Sequence, residues 1–241
     1  ADYVMISAMS VQSDSVDKVI ERCMQLDTKI IAGGPLFTEE SERFAHLDHL
    51  ILNEAEITLP YFLEDLEKGS EKKTYSTSGY TDICKSPVPD YSLINPKDYA
   101  MMGIQYSRGC PYNCEFCDIT ALFGRKVRTK STEQIIEELD NLLDIGWQGS
   151  VFFVDDNFIG HKQRLKHDLL PAMIQWMEKN KYPFFFTTEV SVDLSDDEEL
   201  MNLMTHAGFI KVFVGIETPD INSLMECNKT QNNNRDLLQS V

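Results

Sequence analysis

Residues 107–118 read Ser107-Arg108-Gly109-Cys110-Pro111-Tyr112-Asn113-Cys114-Glu115-Phe116-Cys117-Asp118. Three cysteines fall within eight positions of this stretch and follow the spacing C-x3-C-x2-C. Three thiolates on one short loop can converge on a single soft metal centre. Because a short apolar run precedes the stretch, we predict that the cysteines lie on a loop directly after a strand.

The number of ligands limits which metal centre this loop can hold. A closed structural zinc site needs four protein ligands, and the nearest histidines, His161 and His167, lie far along the chain. Bacterial ferredoxins use two C-x2-C steps with a fourth cysteine nearby, and this loop does not match that pattern. Three cysteines on a cubic [4Fe–4S] cluster would leave one iron open to a reactant. A zinc loop, or three incidental cysteines, are the alternatives.

The sequence around and after the cysteines alternates between strand and helix signals. Predicted strands cover about 103–107, 150–154, 183–190 and 210–216, and predicted helices cover about 131–145, 162–179 and 195–208. Four consecutive β-then-α units indicate part of a (β/α) barrel of the TIM type. The C-terminal ends of such strands carry the active groups of a barrel enzyme.

The first part of the chain shows the same alternation over a shorter length. Predicted strands cover about 3–9, 29–32 and 49–52, and predicted amphipathic helices cover about 13–26, 38–47 and 58–66. This pattern favours a parallel sheet of the Rossmann type. The fold class is therefore α/β, with a partial Rossmann-like domain followed by a partial barrel. We predict domains at 1–70 and 102–241, with a linker at 71–101.

Composition excludes several classes of protein. The 241 residues carry a formal net charge of −17, which argues against general binding to nucleic acid. No run reaches the ~18 apolar residues of a membrane helix, and the start has no basic segment typical of a signal peptide. The clustered cysteines suit a reducing compartment, so we expect a cytoplasmic protein. Since the chain opens in an apolar run without a methionine, we expect it to be a piece of a longer protein.

One basic stretch, Arg125–Lys130, stands out in this acidic chain. It holds four cations in six residues. Two interpretations stay open for it. The stretch is either a solvated loop before a helix or a contact for a carboxylate or phosphate of a substrate.

The cysteine loop resembles that of the radical S-adenosylmethionine (SAM) superfamily. The hallmark of that family is C-x3-C-x-aromatic-C, and Phe116 stands at the aromatic position. The resemblance implies that Cys110, Cys114 and Cys117 ligate a [4Fe–4S] cluster. It also implies that the open iron binds SAM and that the reduced cluster cleaves SAM to methionine and a 5′-deoxyadenosyl radical.

The resemblance further implies that the strand ends bind SAM. The family often holds the SAM amino group with a Gly-Gly pair after its second strand, where this sequence has Asp155-Asp156-Asn157. The resemblance also implies that residues at the next two strand ends contact the ribose and carboxylate of SAM. The candidates are Glu189, Ser191 and Glu217. The alternative for each acidic residue is an interaction with a helix N-terminus.

The first part of the chain resembles the cobalamin-binding domain that precedes many radical SAM barrels. The matching stretches are Val4–Ala8, Ala32–Thr38 and Asn53–Glu56. The resemblance implies that the turn at Gly33 and Gly34 lets the backbone approach the cobalamin tail. The family's D-x-H-x-x-G motif for the lower ligand of cobalt is absent from this sequence.

The combined motifs resemble the branch that contains hopanoid C-2 methylases. Gln105–Cys110, Phe153–Phe158 and Val214–Thr218 carry this part of the resemblance. It implies cobalamin-dependent methylation of an unactivated carbon in a small molecule, for which lipid-like molecules are candidates. It also implies an electron donor such as flavodoxin or ferredoxin. The alternatives are a radical SAM enzyme for methylthiolation, cyclisation or oxidation, or a non-enzymatic iron–sulfur or zinc module. No catalytic residue beyond the cofactor ligands is predicted.

Overall fold

The computed structural model describes residues 2–233 and 235–240, which form two compact units. The first unit runs up to Thr81 and the second begins at Asp82. The segment predicted as a linker is therefore divided between them. Its first part adds a strand to the first unit, and Tyr91 and Ile94 from its second part pack on the core of the second unit.

A four-stranded parallel sheet forms the centre of the first unit. Its strands, in spatial order, are β1 (Tyr3–Ser7), β2 (Lys29–Gly33), β3 (His49–Ile51) and β4 (Thr74–Tyr75). The first three strands confirm the prediction. The sequence-based count of three strands is too low, because a strand of two residues has no detectable period.

Three helices accompany this sheet: α1 (Ser13–Gln25), α2 (Pro35–Glu39) and α3 (Ala55–Glu67). Helix α1 buries Val16, Ile20 and Cys23, which follow the spacing of one helix face. The predicted helix over 38–47 is wrong in both bounds. The helix begins at Pro35 after Gly34, and the turn that follows it brings Phe44 against Phe37, with 4.6 Å between ring centroids.

A second four-stranded parallel sheet forms the centre of the second unit. Its strands are β5 (Met102–Ile104), β8 (Gly149–Phe153), β9 (Phe184–Val190) and β10 (Phe209–Val214), in the order β10-β9-β8-β5. All four predicted strands are confirmed. The short antiparallel pair β6 (Ser107–Arg108) and β7 (Arg128–Thr129) encloses the cysteine loop and was not predicted.

The helices of the second unit follow its strands in turn. They are α4 (Ile119–Phe123), α5 (Thr132–Asp144), α6 (Lys162–Arg164), α7 (Leu170–Lys179), α8 (Glu198–Ala207) and α9 (Ile221–Glu226). A π-helical turn over Leu165–Leu169 joins α6 to α7, so the helix predicted over 162–179 is confirmed with an irregular middle. None of the helices in the described residues is long and apolar enough to span a membrane.

Phenylalanines fix the end of β8 where the candidate site begins. Phe153, Phe158, Phe186 and Phe209 form one cluster with neighbouring ring centroids 5.0–5.4 Å apart. Tilted and edge-to-face aromatic pairs contribute about 0.5–1.5 kcal/mol each beyond their buried area. The cluster therefore holds the carboxyl end of β8 rigidly against its neighbours.

A buried ion pair connects the end of the cysteine-loop hairpin to α5. Lys130 Nζ binds Glu138 Oε1, and the two residues are 6% and 1% exposed. Burial raises the pKa of Glu138, and the ammonium of Lys130 counteracts that rise. The Lys130 backbone N–H also donates to Tyr106 O over 2.8 Å. Removing one charge would leave the other buried and unpaired.

We predict that Lys130→Met lowers the free energy of unfolding of this unit by about 3–5 kcal/mol. The double variant Lys130→Met/Glu138→Leu should regain most of the loss, because no unpaired charge remains. Urea unfolding followed by the fluorescence of Trp147 and Trp176 measures both values. Equal stability of the single and double variants would contradict the assignment.

Candidate active site

One cavity of about 380 Å³ lies at the carboxyl ends of the strands of the second sheet. Cys110, Cys114, Cys117 and Phe116 line it from the cysteine loop. The structure therefore brings the three predicted metal ligands and the aromatic residue of the motif to one place.

The strand ends line the same cavity from the other side. Asp156 follows β8, Glu189 and Ser191 come from the end of β9, and Glu217 follows β10. Four of the five predicted strand-end residues thus face the cysteines. Asp155 is the exception, because it does not line the cavity.

Close backbone packing shapes the start of the cysteine loop. Gly109 has φ +90°, and a Cβ at this position would lie 2.8 Å from Lys126 O and 2.9 Å from Gly124 O. The next residue, Cys110, donates its backbone N–H to Gly124 O over 3.3 Å. Only glycine allows the chain to turn here against the backbone of residues 123–126, which lead from α4 to β7.

The three thiols share one environment but do not form a site for a single ion. Burial raises the pKa of Cys110 and of Cys117, and the neighbouring thiols of the loop raise both further. Among the described residues, no three His, Cys, Asp or Glu side chains are arranged to hold one metal ion. A four-iron cluster spaces its protein sulfurs more widely than one ion does and would occupy the space between them. The donor set of three soft thiolates around a cavity fits such a cluster.

Asp155 holds the cysteine loop from behind. Its buried carboxylate accepts the backbone N–H of Tyr106 over 3.0 Å and both the backbone N–H and the hydroxyl of Ser107. Burial raises the pKa of Asp155 to about 7, and these hydrogen bonds limit the rise. The side chain expected to bind the SAM amino group therefore connects the end of β8 to the strand that leads into the cysteines.

Asp156 and Glu189 make the cavity negative. Burial raises the pKa of Asp156 to about 6, and the charge of Glu189 contributes to the rise. Burial likewise raises the pKa of Glu189. Neither carboxylate forms an ion pair within the described part of the chain. Two carboxylates on the cavity wall without a cationic partner attract a positively charged ligand.

Glu217 is paired with a lysine that the sequence analysis missed. Lys229 Nζ lies 2.5 Å from Glu217 Oε1 and 5.5 Å from the centroid of the Phe116 ring. A Cβ on Gly215 would lie 2.6 Å from Glu217 Oε1, so glycine leaves room for this pair. Lys229 follows α9 in a stretch with no periodic signal, which is why its position could not be predicted.

Ser191 is held in place by two neighbours. It forms a reciprocal pair with Asn157, in which Ser191 N–H donates to Oδ1 and Nδ2 donates to Ser191 Oγ, both over 3.1 Å. The side chain of Tyr112 from the cysteine loop also hydrogen bonds to Ser191 and to Asp193. The hydroxyl of Ser191 is thus oriented by both the strand end and the loop.

The glycines predicted to approach cobalamin pack within the first unit. A Cβ on Gly33 would lie 2.5 Å from Ile51 O, and one on Gly34, which has φ +88°, would lie 2.7 Å from Ser7 Oγ. The tight turn between β2 and α2 is sufficient to explain both glycines. Their predicted contact with cobalamin stays a prediction.

The basic stretch binds groups of this chain. Arg125 Nη2 donates to Pro111 O over 3.1 Å, and Arg128 Nη2 donates to Phe123 O over 3.0 Å. Lys130 forms the buried pair with Glu138 described above. Three of the four cations therefore stabilise the cysteine loop and its surroundings.

Comparisons with known proteins agree with this geometry. The model of the radical SAM superfamily matches residues 104–241. An uncharacterized methyltransferase of Synechocystis sp. is 46% identical and covers 100% of this chain and 45% of its own length. The hopanoid C-2 methylase of Rhodopseudomonas palustris is 34% identical and covers 100% and 46%. The chain thus spans about half the length of the curated relatives it matches.

Solved structures share the fold. TsrM, a radical SAM methyltransferase from Kitasatospora setae with cobalamin and a [4Fe–4S] cluster bound, superposes with a TM-score of 0.79 at 14% identity. The match covers 100% of this chain and 55% of TsrM. The cobalamin-dependent radical SAM enzyme OxsB, with aqua-cobalamin bound, gives 0.74 at 18% identity, covering 99% of this chain and 38% of OxsB.

We predict that Asp155→Asn lowers the free energy of unfolding by about 2–3 kcal/mol, because the amide cannot satisfy all the buried donors of Tyr106 and Ser107. Urea unfolding followed by tryptophan fluorescence measures the loss. Asp144→Asn, at an exposed position on α5, is the matched control and should change stability little. A variant at Asp155 as stable as that control would rule out the tethering role.

Proposed function

Since the chain belongs to the radical SAM superfamily, we propose that it holds a [4Fe–4S] cluster on Cys110, Cys114 and Cys117 and cleaves SAM there. The reaction would serve the cobalamin-dependent methylation of an unactivated carbon in a small, lipid-like molecule. The single observation that carries the proposal is that these three cysteines line one cavity together with unpaired carboxylates.

The cluster would supply one electron to the sulfonium of SAM, which breaks a carbon–sulfur bond and gives methionine and a 5′-deoxyadenosyl radical. The residues of this chain would bind and orient the co-substrate. Asp156 and Glu189 attract its cationic groups, and the Ser191 hydroxyl, fixed by Asn157, offers a hydrogen bond. The Glu217–Lys229 pair places an ammonium beside Phe116 at the edge of the cavity.

We also propose a more specific fold for each of the two units. The second unit would be part of a TIM-type barrel, which its four parallel strands and the helices between them support. The first unit would be part of a Rossmann-like, cobalamin-binding domain, which its parallel sheet and the resemblance of its sequence support. We propose residues 1–70 and 102–241 as the main parts of these two domains, within compact units that run up to Thr81 and begin at Asp82.

Similarity to relatives supports the proposal that the protein uses cobalamin, whereas the described residues of the first unit show no open space for cobalamin beside its two glycines. The space beside the two glycines of the β2–α2 turn is filled by the first unit's own atoms. The similarity to the hopanoid C-2 methylase of Rhodopseudomonas palustris supports methylation. Cytoplasmic location and an electron donor of the flavodoxin or ferredoxin type belong to the same proposal.

We predict that the full-length protein, reconstituted anaerobically and supplied with cobalamin and a reduced flavodoxin or ferredoxin, binds an iron–sulfur cluster and forms 5′-deoxyadenosine and S-adenosylhomocysteine from SAM. Changing Cys110, Cys114 or Cys117 to Ala should abolish both products, because each removes a ligand. Cys84→Ala, at an exposed thiol outside the cavity, is the control and should keep them.

Iron analysis and quantification of both nucleosides by mass spectrometry test this prediction. Deoxyadenosine without S-adenosylhomocysteine would favour another radical SAM reaction. Bound zinc in place of iron would overturn the proposal.

The two unpaired carboxylates give a second prediction. Asp156→Asn and Glu189→Gln should each weaken SAM binding about tenfold, which corresponds to about 1.4 kcal/mol. The loss should be smaller for S-adenosylhomocysteine, because it has no sulfonium charge. Anaerobic titration calorimetry measures both affinities, and Glu178→Gln on the exposed side of α7 is the control. Unchanged affinity in both cavity variants would argue against an electrostatic role.

A further inference from the structure

The sulfurs of the cysteine loop accept hydrogen bonds from N–H groups. The backbone N–H of Tyr112 bonds to the Cys110 sulfur, and that of Ile119 bonds to the Cys117 sulfur. Both donors lie two residues after the cysteine and come with the local turn of the loop. The Cys114 sulfur accepts a hydrogen bond from a side chain 117 residues away, Gln231 Nε2, over 3.5 Å.

The segment that carries Gln231 is docked on the cysteine loop at two further points. Glu115 N–H donates to Cys227 O over 2.9 Å, and Asn228 Nδ2 donates to Asn113 O over 2.8 Å. These bonds lie directly on either side of Cys114. The position of the Gln231 amide is therefore set by contacts that do not involve a sulfur.

The state of the sulfur decides the orientation of the Gln231 amide. A sulfur that ligates iron carries no proton and can only accept, so the amide must turn Nε2 toward it. In this orientation Gln231 Oε1 is buried and has no hydrogen-bond partner among the described residues. A buried amide oxygen left without a partner is costly, and this arrangement is favoured where Nε2 has a strong acceptor, as an anionic cluster is.

We infer that Gln231 is a positioning residue that donates a hydrogen bond to the Cys114 ligand and thereby raises the reduction potential of the cluster. The inference rests on the proposed function, since it requires the cluster. Hydrogen bonds to the sulfurs are one of the factors that set the potential of an iron–sulfur cluster. Reduction adds negative charge, and an N–H directed at a sulfur stabilises the reduced state more than the oxidised state.

The experiment compares midpoint potentials in the reconstituted full-length protein by redox titration followed by electron paramagnetic resonance. Gln231→Met keeps the length of the side chain but cannot donate, so its potential should be more negative than that of the wild type. Gln231→Glu adds a negative charge near the sulfur, so its potential should be more negative still. Asn228→Gly removes one of the two docking contacts at a residue with φ +55°, which glycine adopts easily, and leaves the Glu115–Cys227 bond in place. Its potential should therefore stay closer to that of the wild type than the potential of Gln231→Met does.

The outcomes separate the inference from the proposed function. A wild-type protein that assembles no cluster contradicts both. A cluster whose potential is the same in the wild type and in Gln231→Met overturns the inference and leaves the proposed function standing. Equal shifts in Gln231→Met and Asn228→Gly would also overturn it, because docking of the segment alone would then set the potential. If Gln231→Met binds too little iron, the midpoint potentials of Gln231→Glu and Asn228→Gly are compared instead. Equal potentials in these two variants would overturn the inference.

Discussion

The site depends on how a short loop with three cysteines is held against the end of a parallel sheet. A loop of this length has no core of its own, so its shape must come from outside contacts. Asp155 binds the backbone just before the loop, and Gly109 allows the close approach of the backbone of residues 123–126. The docked segment that follows α9 covers the loop from its other side. The three thiols therefore face one cavity, and contacts that fix the loop reduce the conformational entropy that binding of a metal centre would cost.

The cavity carries unpaired negative charge, whereas cations around it are bound to other groups of this chain. The arginines of the basic stretch bind carbonyl oxygens of this chain, and Lys229 is neutralised by Glu217. Asp156 and Glu189 have no cationic partner among the described residues, so both carboxylates are available to a ligand in the cavity. An acidic chain with this arrangement selects a small cationic molecule at its strand ends over a polyanion.

Sequence reasoning predicts those strands, helices and site residues that belong to a periodic pattern or to a motif. The eight-residue cysteine pattern and seven of the eight parallel strands follow from spacing and apolar runs, and four strand-end residues lie where the alternation of strands and helices put them. Strand β4 is too short to have a period, and α2 starts early because Pro35 can occupy a first turn where its missing N–H is not needed. Lys229 and Gln231 reach the cavity through tertiary contacts of an aperiodic segment. Asp155 and Asp156 are adjacent and chemically alike, and only the direction of each side chain decides that one tethers the loop while the other faces the cavity.

The central claim is that three sulfurs of this chain hold an iron–sulfur cluster with one iron left for SAM. Mössbauer spectroscopy of the protein reconstituted with ⁵⁷Fe, before and after adding SAM, tests it most directly. We expect a four-iron cluster in which SAM changes the signal of one iron and leaves the others nearly unchanged. A cluster whose irons all keep their signals when SAM is added, or a protein that binds no cluster, would contradict it.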